Sequence, residues 1–231
     1  MLGQVVVLVA DEPQLRRLLR VTLNHHGAKL VEFRKARDAL ESLESRPADL
    51  VFLDVRLPDE GAIEVTRVLR QRTDAPIIAF SDTNEERTTV AVFDAGADDF
   101  LTIPFSNSEM LARSRAALRR SSRFPPQKRQ DAFRVGELEV DFVAREVRVQ
   151  GRSVHLTPTE YKLLGVLIQS AGDVVTHQQL LEQVWGPAFV TQLQYLRVYM
   201  KQLRRKLERA PSFRDYLITE PAVGYRFRLP G

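Results

Sequence analysis

The 231-residue sequence predicts two domains, an α/β domain built on a parallel sheet and a smaller α+β domain that follows it. Over residues 1–120, short apolar runs alternate regularly with helical patterns. From residue 132 onward, short alternating strands precede three helices and a final pair of strands. Residues 121–131 between them are rich in Ser, Pro, Arg and Gln and lack apolar periodicity, which is typical of a linker. We therefore expect domains at 1–120 and 132–231, joined by a linker at 121–131.

The first domain follows a strand–helix alternation. The predicted strands lie at 5–10, 29–33, 50–53, 77–80 and 100–103, and the predicted helices at 13–26, 36–45, 61–72, 84–95 and 107–120. This order indicates a parallel sheet that is covered by helices on both faces. Ligands of such sheets lie beyond the carboxyl ends of the strands. The pattern therefore places four residues on a common rim: Asp11, Asp54, Ser81 and Ile103.

The first strand ends in a pair of carboxylates whose role the sequence leaves open. In VVVLVADEP, the apolar run 5–10 leads directly into Asp11, Glu12 and Pro13. The two acids are either a polar strand exit at the start of a helix, or half of a site for a cation.

The second domain combines short strands with capped helices. Strand patterns occur at 133–136, 138–142, 145–150 and 152–156, with a hairpin turn at Gln150-Gly151. Two helix starts have capping-box spacing, one at Thr157 and one at Thr176. A third helix is expected at about 191–209, and LITEPAVGYRFRL reads as two strands around a turn. Three helices with a terminal hairpin are typical of a winged helix-turn-helix domain.

The charge distribution separates the two halves. Residues 1–120 contain 17 Lys and Arg against 19 Asp and Glu, whereas residues 121–231 contain 17 against 11, giving net charges of −2 and +6. The third helix of the second half has an apolar stripe at Leu196, Met200, Leu203 and Leu207. Its remaining surface is rich in basic and amide side chains, which neutralise phosphates and pair with base edges. We therefore predict DNA binding; an ordinary solvated basic face is the alternative.

Several motifs together resemble a known family. The stretches HLTPTEYKLLGVL, LLEQVWG, YLRVYMKQLRRKLE and GYRF are similar to the effector domain of the OmpR/PhoB family of response regulators. VLVADEP, FLDVRLPD, DAGADDF and the PF of TIPF resemble the receiver domain of the same family. WGP, YLRVYM and ITE resemble its KdpE-like subgroup of regulators of potassium-transport genes. The resemblance implies a flavodoxin-like (CheY-like) receiver followed by a winged-helix domain.

The resemblance also implies a mechanism and a set of receiver residues. A sensor histidine kinase would transfer a phosphoryl group to Asp54, in the presence of Mg²⁺ held by Asp11, Asp54 and the backbone carbonyl of Arg56. Ser81 would contact the phosphoryl group, and Phe100 would be the switch aromatic. The receiver would then form a homodimer that binds direct-repeat DNA and acts on RNA polymerase.

Two surfaces follow from the same resemblance. The receiver dimer interface would use Asp94, Asp98, Asp99, Glu109, Arg113 and Arg115, unless these are ordinary solvated helix charges. In the effector domain, the side chains expected to face bases are Gln194, Tyr195, Val198, Tyr199 and Gln202, and those expected to face phosphates are Arg197, Lys201, Arg204 and Arg205. The wing departs from the family, with Pro221 where an arginine is common, so we expect major-groove contacts to dominate.

Two departures in the receiver predict an atypical site. Ala10 replaces the first acid of the family's pair, which should weaken Mg²⁺ binding rather than forbid it. Ile103 replaces the lysine that pairs with the acceptor and then with the phosphoryl group. We therefore predict slow or absent phosphorylation of Asp54 and keep a phosphorylation-independent regulator, whose receiver dimerises constitutively or senses a ligand, as the alternative. Arg56 is the alternative cation that could turn toward the pocket.

Composition and motifs exclude other classes. No apolar run has the length of a membrane span, and the N-terminus lacks the pattern of a signal peptide, so we expect a cytoplasmic protein without membrane contact. The absence of cysteine excludes disulfides and thiolate metal sites. An aspartyl-phosphate phosphatase would need a second acid two residues after Asp54, where this chain has Arg56. We therefore do not expect an enzyme.

Overall fold

The computed structural model describes residues 1–57, 61–83, 85–122, 132–207 and 216–229, without the side chains of 120–122 and 188. The chain divides into two compact units, Met1–Ser122 and Arg123–Gly231. The last helix of the first unit runs to Ser122, and residues 123–131 of the expected linker lie outside the described residues. The linker bounds therefore stay a prediction.

The first unit is a five-stranded parallel sheet in the order β2-β1-β3-β4-β5, which confirms the predicted fold class. Its strands are β1 (Val5–Val9), β2 (Lys29–Phe33), β3 (Leu50–Asp54), β4 (Ile77–Ser81) and β5 (Asp99–Thr102). Its helices are α1 (Pro13–His25), α2 (Ala36–Ser45), α3 (Ala62–Arg72), α4 (Glu86–Ala95) and α5 (Asn107–Ser122). Each lies within a few residues of its predicted position.

Burial on both faces explains why the strands read as continuous apolar runs. Every residue of β3 and β4 is buried, and Leu8, Phe52 and Phe80 lie fully inside one core cluster. Such strands have no solvent-facing side that would need alternate polar residues. The helices cover the sheet with single apolar stripes, as in α1, where Leu15, Leu19 and Leu23 are buried.

The second unit combines three helices with two small antiparallel sheets. Its elements are β6 (Ala132–Val135), β7 (Leu138–Asp141), β8 (Glu146–Val149), β9 (Arg152–Ser153), α6 (Pro158–Gln169), β10 (Val174–Thr176), α7 (His177–Val184), a 3₁₀ turn (Pro187–Phe189), α8 (Leu193–Leu207), β11 (Leu217–Glu220) and β12 (Gly224–Phe227). One sheet has the order β6-β7-β8-β9 and the other β10-β12-β11. The winged-helix prediction is confirmed; β10 is an additional strand that pairs with the hairpin.

Local sequence signals account for the turns and helix starts. Both predicted capping boxes form: Thr157 caps α6 together with Glu160, and Thr176 caps α7 together with Gln179. Gln150 and Gly151 both have positive φ, as a tight two-residue hairpin of the right twist requires. Glu160 is therefore a capping residue, and its buried carboxylate also forms an ion pair with the partly exposed Lys206 of α8.

Candidate functional site

The carboxyl ends of β1, β3 and β4 bring the predicted receiver residues to one edge of the sheet. Asp54 is the last residue of β3 and is 3% exposed, and Ser81 is the last residue of β4 and is 1% exposed. Asp11 follows β1 by two residues, with its side chain half-exposed. Because β1 and β4 both neighbour β3, these strand ends lie side by side. The predicted rim is thus present in the fold.

The carboxylate of Asp54 is held by Arg56. The Oδ1 atom of Asp54 accepts from the backbone N–H of Arg56 at 2.9 Å and from its Nε at 3.0 Å. The Oδ2 atom accepts from Arg56 Nη2 at 2.9 Å. The guanidinium therefore binds both carboxylate oxygens in the bidentate arrangement that arginine forms with carboxylates. Arg56, which we considered from the sequence as an alternative cation for this pocket, is therefore the residue whose side chain binds Asp54.

Arg56 also reaches a second acid across the pocket. Its Nη1 donates to Asp82 Oδ2 at 3.0 Å, just beyond the end of β4. The hydrogen bond to Asp54 is the largest cause that raises the pKa of Arg56 above its ordinary value, and Asp82 adds to it. Arg56 therefore carries its full charge between the two carboxylates. The hydroxyl of Ser81 lies nearby and accepts from the backbone N–H of Thr83 at 3.2 Å.

The two acids after β1 have separate roles. Glu12 caps α1, because its carboxylate accepts from the backbone N–H groups of Gln14 at 2.9 Å and Leu15 at 2.6 Å. Asp11 forms an ion pair with Arg34, whose Nε and Nη2 both lie 2.8 Å from Oδ1. Sequence reasoning did not pair Asp11 with Arg34. The signal was the position of Arg34 directly after β2, the strand beside β1.

The carboxylates at this edge that could bind magnesium are engaged by arginines. Receiver domains generally bind Mg²⁺ in this pocket. Mg²⁺ needs oxygen ligands that are free to point at it. In this chain both oxygens of Asp54 accept from Arg56, Asp11 is paired with Arg34, and Ala10 is buried without a ligand atom. Across the described part of the chain, no group of three or more His, Cys, Asp or Glu residues could hold a metal ion.

Position 103 contributes no charge to the pocket. The backbone N–H of Ile103 donates to the carbonyl of Ser81 at 2.7 Å, which fixes the chain as it leaves β5. The Ile103 side chain packs against the core cluster that contains Phe80, together with Phe105. The residue that takes the place of the family lysine is therefore a partly buried apolar side chain packed against the core.

The structure corrects the predicted dimer interface at two aspartates. Asp98 is fully buried, and its Oδ2 accepts from Arg70 Nη2 at 2.6 Å and from the backbone N–H of Ile77 at 2.9 Å. Asp99 is also fully buried and pairs with Arg113 at 2.9 Å within the same chain. A side chain without exposed surface cannot contact a second copy of this domain. Both were assigned to the interface by their match to the family pattern, which does not show that these two side chains are buried in this chain.

The remaining receiver residues keep positions compatible with their predicted roles. Arg115 is exposed on α5, and Asp94 is half-buried on α4. Glu109 is exposed and pairs with Arg113 at 2.9 Å one turn along α5. Phe100 is buried in β5, where it lies beside Ala79 of β4. Their roles in dimerisation and switching stay predictions.

The structure corrects part of the recognition-helix prediction and leaves the rest a prediction. Three of its basic side chains, Arg197, Lys201 and Arg205, are exposed and recur every fourth residue, so they form one basic face along α8. Four residues expected to face bases are instead buried in the domain core: Tyr195, Val198, Tyr199 and Gln202. The apolar stripe read from the sequence was too narrow, because α8 packs against both α6 and α7 and against the 3₁₀ turn.

Aromatic packing and a guanidinium anchor fix α8 in place. The ring of Tyr199 lies 5.2 Å from that of Trp185, and both residues are 1% exposed. Arg204 donates to the Leu217 carbonyl and to Thr219 Oγ1 of β11, each at 2.8 Å. Its expected role as a phosphate contact is therefore corrected, since its guanidinium ties α8 to the hairpin. Gln194 is half-buried in the first turn of α8.

Family models match both units. A model described as "Response regulator receiver domain" matches residues 6–115, and one described as "Transcriptional regulatory protein, C terminal" matches residues 151–227. These matches, together with the sheet order and the winged helix, define the class: a two-component response regulator with a DNA-binding transcription-regulator domain. Response regulators of this class bind DNA and are phosphorylated by a sensor kinase.

Individual relatives narrow the assignment. The KDP operon transcriptional regulatory protein KdpE of Escherichia coli (strain K12) is 43% identical over 224 residues, covering 97% of this chain and 99% of that protein. The transcriptional regulatory protein KdpE of Mycobacterium tuberculosis (strain CDC 1551 / Oshkosh) is 41% identical, covering 96% and 98%. This chain therefore belongs to the OmpR/PhoB family of response regulators, in its KdpE-like subgroup.

Further comparisons agree with this class. The solved structure of a RitR mutant aligns with 99% of this chain and with 100% of its own length, with a TM-score of 0.80 and 25% identity.

The KdpE relatives are transcriptional regulators, a non-enzymatic class, as expected from the sequence. Within the part of the chain that the structure describes, no helix is both long enough and apolar enough to cross a membrane.

Proposed function

We propose that this chain is a sequence-specific regulator that binds double-stranded DNA through the basic face of α8, in a manner that does not depend on phosphorylation of Asp54. Support for the DNA-binding surface comes from Arg197, Lys201 and Arg205, which are exposed on successive turns. Such a row can neutralise phosphates along a groove, while Gln194 at the start of α8 is the candidate for a base edge. The apolar face of the same helix is buried, so the basic face is the one available to DNA.

The observation that supports independence from phosphorylation is the guanidinium of Arg56 on Asp54. Asp54 remains the proposed phosphoacceptor, with Ser81 as the phosphoryl-contacting hydroxyl and Phe100 as the switch aromatic. A switch responds to a ligand only as far as that ligand contacts its two states differently. Ile103 offers no charge that would favour the phosphorylated state, and we expect Mg²⁺ binding to be weak because Ala10 supplies no ligand.

The proposal includes a homodimer formed through the receiver. The residues that could contribute on the surface are Asp94, Glu109, Arg113 and Arg115. The dimer would bind direct-repeat half-sites and act on RNA polymerase. A sensor histidine kinase, the upstream partner that the class implies, would not be needed for this DNA binding. Sedimentation of untreated protein over a dilution series should show dimers without any phosphodonor. A strict monomer that dimerises after phosphorylation would contradict this part.

DNA binding can be tested without knowing the operator. Duplexes selected from a random library by the full-length protein serve as probes for fluorescence anisotropy across a salt series. Each phosphate contact contributes a slope of about −0.9 in log K against log salt, so Lys201→Ala should flatten the slope by about one unit. Arg152→Ala, at an exposed arginine of β9, is the matched control and should leave the slope unchanged. Equal slopes for Lys201→Ala and wild type would contradict the proposed surface.

Phosphorylation is tested separately. Wild type and Asp54→Ala are treated with acetyl phosphate and Mg²⁺, followed by intact mass measurement and anisotropy with the selected duplex. We expect slow, substoichiometric gain of phosphoryl and equal DNA affinity for the two proteins. Rapid and stoichiometric gain that strengthens DNA binding of the wild type alone would refute independence from phosphorylation.

A further inference from the structure

We propose that Arg56 is a built-in counter-ion that closes the phosphoacceptor pocket, so that it, rather than a divalent cation, balances the charge of Asp54. The inference rests on the proposed role of Asp54 as phosphoacceptor and names the residue that restrains it. It predicts that removing the Arg56 side chain makes the carboxylate of Asp54 accessible to a divalent cation and to a phosphodonor.

The strength of the contact comes from its geometry and its burial. Nε and Nη2 of Arg56 bind the two oxygens of Asp54 at 3.0 and 2.9 Å, and the backbone N–H of Arg56 adds a third bond at 2.9 Å. The Asp54 side chain is 4% exposed, so water scarcely competes for its oxygens. Charge-assisted paired hydrogen bonds in such a setting are among the stronger polar contacts in proteins.

A second anchor holds the guanidinium over the pocket. Nη1 of Arg56 donates to Asp82 at 3.0 Å, so the guanidinium bridges the end of β3 and the residue after β4. The Arg56 side chain is one-third exposed and Asp82 about half-exposed, which places this bridge at the mouth of the pocket. A divalent cation that approaches Asp54 from solvent would have to displace it.

Charge balance explains why a cation is needed at this position. A carboxylate as buried as that of Asp54 is unfavourable without a counter-charge. In the family pattern a lysine at position 103 faces the acceptor, but Ile103 is a partly buried apolar side chain that packs against the core. Arg56 supplies the missing positive charge from the loop after β3, and its guanidinium donates to both oxygens of Asp54.

Engagement of both oxygens affects phosphoryl transfer directly. In that reaction a carboxylate oxygen of Asp54 attacks the phosphorus of the donor, the bond from phosphorus to the leaving oxygen breaks, and acetate departs with the electron pair when acetyl phosphate is the donor. The attacking oxygen needs a free lone pair in line with the leaving group. Hydrogen bonds from Arg56 withdraw electron density from both oxygens and occupy the space in which the donor must align.

The test compares full-length wild type with Arg56→Met, which removes the charge and keeps a similar length. Arg67→Met is the matched control, because Arg67 is an exposed arginine of α3 that pairs with Glu64 away from the pocket. Mg²⁺ affinity is measured by isothermal titration calorimetry, and phosphoryl gain by intact mass with acetyl phosphate and Mg²⁺. We expect Arg56→Met to bind Mg²⁺ about tenfold more tightly or better and to gain phosphoryl at least about tenfold faster, an effect that adding Asp54→Asn abolishes.

The outcomes separate this inference from the proposed function. Equal Mg²⁺ affinity and phosphoryl gain in wild type and Arg56→Met would overturn the inference, whether or not DNA binding proves independent of phosphate. Rapid phosphorylation that strengthens DNA binding of the wild type would overturn the proposed independence, but it would leave the inference standing if Arg56→Met is phosphorylated faster still. If Arg56→Met does not fold, Arg56→Lys, which keeps one charge but loses the paired contact, provides the same comparison.

Discussion

Gly224 lies where two strands approach too closely for any side chain. It is the first residue of β12 and pairs with Thr176 of β10. A Cβ atom added there would overlap the carbonyl oxygen of Val175 and lie 2.8 Å from the Cα of Thr176. Both obstacles are backbone atoms, so no flexible side chain can move aside. Gly224→Ala must therefore separate β10 from β12.

The cost of this change can be estimated from its two parts. Overpacking costs about 1–3 kcal/mol, and weakening one ladder hydrogen bond costs about 1 kcal/mol more. We therefore expect Gly224→Ala to lower the free energy of unfolding of the second unit by about 2–4 kcal/mol. The assay is urea unfolding followed by the emission of Trp185, which is the single tryptophan of the chain and is 1% exposed within this unit.

A second glycine provides the control. A Cβ added to Gly61, in the first unit, would meet nothing within 4 Å. Gly61→Ala should therefore leave the Trp185 transition of the full-length protein unchanged. An unfolding free energy for Gly224→Ala within about 0.5 kcal/mol of wild type would refute the close-approach argument, since only surface substitutions are normally that mild.

Three further predictions concern the caps, the buried ion pair and alkaline pH. Thr157→Ala removes the hydroxyl that accepts from the first turn of α6 and should lower stability by about 1 kcal/mol in the Trp185 assay; no change would argue against the cap. Asp98→Asn leaves the buried guanidinium of Arg70 without its counter-charge and should destabilise the first unit by about 3 kcal/mol in circular-dichroism unfolding. Dimer affinity should not change, whereas a selective loss of dimers would restore Asp98 to the interface. Burial raises the pKa of Tyr161 and of Tyr225 in the folded state, so unfolded tyrosines ionise first as pH rises through about 10. The stability that these two residues contribute is present below that pH and declines above it, and Tyr161→Phe should reduce the decline in urea midpoints measured between about pH 9 and 11.

Strong local signals made most of the fold predictable. The strands of the first unit are buried on both faces, so each appears as a continuous apolar run, and the capping boxes at Thr157 and Thr176 mark two helix starts. The strand β10 was missed because three residues, Val174–Thr176, carry no period of their own. Its pairing with Gly224–Phe227 joins segments far apart in sequence. Only the tertiary fold defines such a strand.

The functional surfaces were predictable in position but not in side-chain partners. Strand ends determine which residues reach the rim, so Asp54 and Ser81 could be placed from the sequence. Whether Glu12 caps a helix or binds a cation depends on side-chain geometry that one sequence does not contain. On α8, the sequence identified one apolar stripe, but contacts with several elements also bury Tyr199 and Gln202.

The contact between Arg56 and Asp54 could have been predicted from the sequence. Asp54 ends β3, and an aspartate at a turn commonly accepts from the backbone N–H two residues on, so the sequence Asp54-Val55-Arg56 already favours contact between the outer two. Loss of the lysine at position 103 makes that contact more valuable, because a buried carboxylate is costly without a cation. The two residues therefore act together: Ile103 lacks the charge that would respond to phosphorylation, and Arg56 supplies one that is already paired before phosphorylation occurs. A receiver changed in this way keeps a favourable charge balance in its resting state, and restoring the lysine alone would add a second cation to a carboxylate that is already paired.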